Sequence, residues 1–144
     1  MFHFHLQKVL DLREQREREV ASQLVQALSE RDDAQQRLQT LRVTRDASAS
    51  TMQGPSRSVG ELANLAFVLE QLDGHIANAN DEVHAAEEHV EHVKSELTSA
   101  FQDRRVLDRL RERHVEQHRA TAEQTDQRAM DDIALSRFTQ NDTP

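Results

Sequence analysis

The sequence of 144 residues predicts an all-α fold, a long antiparallel two-helix coiled-coil hairpin whose second helix is longer than its first. Three observations predict it. Aromatic residues make up 3% of the chain and glycine occupies three positions, while 31% of residues are charged, so a conventional globular core is hard to assemble. Apolar residues recur at alternating steps of three and four over a long stretch, the spacing of a coiled-coil seam. One short segment between two helix-forming stretches carries the residues that break helices.

The first helix is expected over residues 1–48. Ala, Leu, Glu, Arg and Gln dominate it, and their unbranched side chains lose little rotamer freedom in a helix. Seam spacing picks out Leu6, Leu10, Val20, Leu24, Ala27, Ala34, Leu38 and Leu41, interrupted by Arg13, Glu17 and Arg31. A charge in a seam costs several kcal/mol if unpaired, so these three are expected where the seam is wet or a partner compensates.

A turn is expected over residues 49–60. Gly54-Pro55 is a turn signal, and the flanking serines compete for backbone hydrogen bonds. Ser58, followed three residues later by Glu61, has the form of a capping box for the next helix. With the bend at Gly54-Pro55, facing residues should have numbers summing to about 109, which puts Leu6 near Asp103.

The second helix is expected over residues 61–138. Its stripe runs without a miss through Leu62, Leu65, Leu69, Leu72, Ile76, Ala79, Val83, Ala86, Val90, Val93, Leu97 and Ala100. Beyond this seam, from Asp103 onward, the helix is expected to overhang without an internal partner. Met130, Ile133, Ala134 and Phe138 share one face there, too small to be a core and suited to a partner. Residues 139–144 are expected to be a disordered tail.

Charge and composition exclude several functions. The net charge of −8 argues against nucleic acid, because duplex binding relies on Lys and Arg displacing counterions. Nearly all the excess lies in residues 61–103, which hold ten acids against Lys94 alone. The chain has no cysteine, so thiolate metal sites and cysteine nucleophiles are excluded. The longest apolar run, Leu65 to Leu69, falls far short of the roughly 20 residues of a membrane helix, and no direct membrane insertion is expected.

Catalytic chemistry is not expected either. His114 and His118 stand four apart, His89 and His92 three apart, and His3 and His5 open the chain. The Glu between His114 and His118 is not placed as in a zincin helix, and solvated surface histidines are the favoured reading. The turn lacks the Gly-Lys-Ser/Thr ending of a nucleotide-binding loop, and a two-helix fold cannot enclose its many carboxylate pairs. No metal, no cofactor and no enzyme activity are expected.

The opening, in which Phe4 precedes Leu6, Gln7, Lys8, Val9, Leu10, Asp11, Leu12, Arg13 and Glu14, resembles the FliJ family of bacterial flagellar export proteins. Leu107-Asp108-Arg109-Leu110-Arg111-Glu112-Arg113 and Met130-Asp131-Asp132-Ile133-Ala134 look like two further family stretches. Asp132 stands where the family usually has Glu, and Arg104, Arg105 and Arg109 where Lys is common, with charge retained.

The resemblance implies a cytoplasmic component of the type III export machinery, at the inner face of the cell membrane at the flagellar base. It implies a rod-like stalk that binds the hexameric export ATPase, contacts the cytoplasmic part of the export gate membrane protein, and works with export chaperones. The end bearing the termini is then expected to dock in the ATPase ring, through Phe4, Leu6, Val9, Leu10, Arg13, Leu107, Leu110, Met130, Ile133 and Phe138. Val68 and Leu72, with Phe67 adjacent, match the family's gate-contact pair, although Leu72 also fills a seam position. A monomer is expected in isolation. A stalk of a virulence-type injectisome and a homodimeric coiled-coil scaffold are the alternatives.

Overall fold

The computed structural model describes residues 2–54 and 58–141. The fold is an antiparallel helical hairpin of two helices, α1 (Gln7–Met52, 46 residues) and α2 (Val59–Asn141, 83 residues), with no strand among the described residues. Helix α1 runs past the expected end at 48, and α2 past the expected end at 138; residues 142–144 lie outside the described set. Of the Gly54-Pro55 turn signal, Pro55 also lies outside it.

Local chemistry sets the helix starts. Leu6 contributes its carbonyl to the amide of Leu10 at 3.0 Å, closing the first turn of α1. At α2 the amide of Glu61 donates to Ser58 Oγ at 3.2 Å, which satisfies one of the free donors of the first turn. Threonines in both helices donate to the carbonyl four residues back, as Thr44 does to Thr40 at 2.9 Å, so their hydroxyls do not compete with the helix.

The chain divides into two compact units, Glu17–Ala100 and the described parts of Met1–Arg16 with Phe101–Pro144. The first holds the aliphatic seam. Val20, Ala27, Val90 and Val93 form one buried cluster with Leu24, Leu28 and Leu97 against it. Ala34, Leu38, Ala79 and Val83 form a second, flanked by Leu41, Ile76 and Ala86. In this cluster the larger side chains, Val83 and Leu38, are buried together with the small ones, Ala34 and Ala79. Full burial of each Val or Leu contributes about 1.5–3 kcal/mol, and Val20 and Val90 are 0% and 2% exposed.

Polar pairs fix the register of this unit. Arg37 meets Glu82 at 3.5 Å, Arg45 meets Asp73 at 2.7 Å, and Arg42 donates to Asn80 at 3.4 Å. The Arg45 guanidinium is held above its ordinary pKa, first by its hydrogen bond to the Asp73 carboxylate and then by the attraction of that charge. Facing residues therefore sum to about 118–122, not 109. The bend near Gly54 does not set the alignment: Val59–Asn64 are exposed throughout, and α2 begins to pack at Leu65. The seam stripe itself holds, since every position from Leu65 to Ala100 is buried or half-buried and Leu62 alone is exposed.

The second unit shows the same offset. Asp103 faces Arg13 at 3.6 Å, not Leu6, and Arg111 donates to Gln7 at 3.2 Å. The expected overhang is shortened accordingly. Arg104, Leu107, Asp108, Leu110 and His114 are half-buried, and an uninterrupted exposed run starts only at Val115. The charged seam positions are compensated where a partner can be named: Arg13 by Asp103, and Arg31 by two hydrogen bonds to its neighbour Asp32.

Candidate partner-docking surface

The unit that combines the described parts of Met1–Arg16 and Phe101–Pro144 carries most of the residues expected to meet a partner. Its innermost layer is aromatic. Residues Phe2 to Leu6 precede the helix, and Phe4, 3% exposed, stands edge-on to the His114 ring at 5.4 Å and 87°. His5 stacks on the same His114 ring at 6.0 Å and 25°, while Phe2 meets His118 edge-on at 5.6 Å. Arg111 lies 5.9 Å from the centre of the Phe2 ring, a cation–π contact.

Phe4 and Leu10 are therefore packing residues, buried within the unit instead of presented to a partner. Leu6, Leu107 and Leu110 are half-buried, whereas Val9 and Arg13 are exposed. Met130, Ile133 and Phe138 stand open to solvent, Met130 at 70%, and no residue from Val115 to Asn141 is covered. Arg104 is held by Asp108 and lies 5.2 Å from the Phe101 ring.

Two exposed residues escape a reading based on the seam and the termini, Leu12 at 64% and Val106 at 65%. Both lie off the seam stripe, where an apolar residue has no internal partner.

In the other unit, Phe67 is 61% and Val68 43% exposed, and Leu72 is half-buried in the seam. The structure thus separates the adjacent pair, which is free to meet a partner, from Leu72, which packs.

The histidines divide by environment. His92 reaches Glu96 at 2.9 Å and His84 reaches Glu87 at 4.0 Å, both on an exposed surface. His114, expected as solvated, is half-buried against Phe4, while His118 is exposed as expected and meets Phe2 at one edge; a Phe-x-Phe facing a His-x-x-x-His at a sum near 118 is the pattern that marks this contact. Among the described residues, no group of three or more His, Cys, Asp or Glu is placed to hold a metal ion. No described helix is long and apolar enough to cross a membrane.

The family model described as flagellar FliJ protein matches residues 2–143, nearly the whole chain. No curated protein and no solved structure gives a match. The match spans the opening segment, both helices and the exposed end of α2, and by it the chain belongs to the FliJ family of flagellar export proteins.

Proposed function

We propose that the protein is the stalk of the flagellar export ATPase: it binds the hexameric ring and couples it to the cytoplasmic part of the export gate. The observation that carries this reading is the open apolar face of Met130, Ile133 and Phe138 on a stretch of α2 that no described residue covers. An uncovered apolar face loses solvation free energy until a partner closes over it, at about 25 cal/mol per Å² of apolar area buried. Family membership supports a partner within the flagellar export machinery.

Phe67 and Val68 are proposed as the gate contact, since both are exposed on α2. Leu72 takes part only by holding the helix in register. Export chaperones are proposed as further partners, and the protein as a monomer that works at the inner face of the cell membrane and catalyses no reaction itself.

ATP hydrolysis by the cognate export ATPase, measured with and without the protein, tests the reading. A changed rate together with complex formation in sedimentation is expected. No binding and no change in rate would remove the stalk function. For the gate contact, Phe67→Ala with Val68→Ala should weaken binding to the gate's cytoplasmic part while helicity stays constant.

A further inference from the structure

We propose that the opening segment and the start of α1, residues 2–16, form a strap that lifts off the part of α2 beyond Phe101 in one cooperative step, while the aliphatic clusters of the other unit stay closed. The device does not depend on the stalk reading. It sets how much of α2 stands bare.

The buried residues of each helix are interrupted by a polar belt. On α1 they stop at Leu10 and resume at Val20, with none between; on α2 none of the described residues beyond Ala100 is buried. Charged side chains fill the interval. Arg13 and Asp103 meet at 3.6 Å with their side chains 49% and 57% exposed, and Glu14, Glu17, Arg104 and Asp108 are half-buried. An ion pair that keeps its water contributes little, because solvent screening offsets the attraction. Such a belt transmits little cooperativity from one apolar layer to the next.

The apolar cover on the terminal side of the belt is thin. Phe4 and Leu10 are the buried side chains of this unit among the described residues, and neither aliphatic cluster includes any residue of it. Its attachments include the ring contacts of Phe2, Phe4 and His5 on His114 and His118, and the exposed Gln7–Arg111 hydrogen bond. Few buried contacts and solvent-exposed hydrogen bonds mark a segment that opens more readily than the whole molecule unfolds. The amide of Gln7 donates to the carbonyl of Phe4 at 3.0 Å, tying the ring layer to the first turn of α1, so ring layer and Leu10 release together. With the strap lifted, the bare part of α2 extends from Val115 back to Phe101 and takes in the half-buried Leu107 and Leu110.

The test is native-state hydrogen exchange on the full-length chain, followed by nuclear magnetic resonance at several urea concentrations below the unfolding transition. The amides of Leu10, Leu12, Arg13 and Leu110 are expected to exchange through one shared opening, with protection about tenfold or more below that of Ala27 and Val90. Their exchange should respond less to urea, because the opening exposes less surface. Arg13→Leu with Asp103→Leu removes both charges of the pair at once and fills a seam position. Protection at Leu10 should then rise about tenfold or more, toward that of Ala27.

Wild-type protection at Leu10 equal to that at Ala27, with the same response to urea, overturns the strap, since the chain then opens only as a whole. Protection that climbs residue by residue from Gln7 to Arg16 overturns the single step and reduces the segment to a fraying end. A doubly substituted chain whose Leu10 protection does not rise overturns the belt as the cause of the separation. None of these results touches ATPase binding, so the stalk reading stands or falls by its own experiment.

Discussion

Two stretches of α2 have similar helix-forming composition and opposite fates. Between Ala79 and Ala100 the helix buries five residues, whereas from residue 119 to Asn141 it buries none. The first alternates apolar residues at three and four, which keeps them on one line toward α1. The second carries only a short apolar face, Met130, Ile133 and Phe138, too brief to sustain that beat, and its helix is held by local contacts such as Arg119 to Glu123 at 3.2 Å and Thr125 to the carbonyl of Thr121 at 2.9 Å. Propensity is sufficient to decide that both are helical; only the beat decides which one is covered.

The sharpest way to break this contrast is one substitution made in both places. Val90→Asp puts a carboxylate into a closed aliphatic cluster and should cost about 3 kcal/mol or more, seen as a large fall in melting temperature. Ile133→Asp, on an exposed face, should stay within about 0.5 kcal/mol of the parent. Equal losses would mean that the end of α2 is covered after all.

Phe4→Ala probes the aromatic layer and should cost about 3 kcal/mol at most, because a segment at the chain end can open locally. Hydrogen exchange is the measurement: the amide of Leu10 should exchange faster, with that of Val90 unchanged. Ser58→Ala should cost about 1 kcal/mol in a melting experiment, through the lost acceptor for the Glu61 amide.

The smallest effect has the opposite sign. A Cβ added at Gly74 meets nothing within 4 Å, and the position is exposed within α2. Gly74→Ala should therefore stabilise the protein by about 0.5–1 kcal/mol, as a raised melting temperature. A loss would place an uncharted contact on that face.

These particulars show what the amino-acid order could reveal. The stripe from Leu65 to Ala100 and the Ser58 cap were legible because both are local patterns with a single physical solution. The facing register was not, because an estimate from the bend assumes that packing begins at the loop, whereas Val59–Asn64 stay exposed. That one offset also hid the docking of Phe2 and Phe4 on His118 and His114. For the binding surface, the apolar end of α2 was readable from Met130, Ile133 and Phe138, but Phe4 and Leu10 looked like contacts when they are packing.

Because side chains far from the connector align α1 with α2, the connector is free to vary. Extra residues spliced between Gly54 and Ser58 should leave every pair from Arg45–Asp73 downward intact, since closure entropy grows slowly with connector length, by about 0.6 kcal/mol per doubling. A fluorescent or affinity tag can therefore be carried there at little thermodynamic penalty, leaving both chain termini untouched.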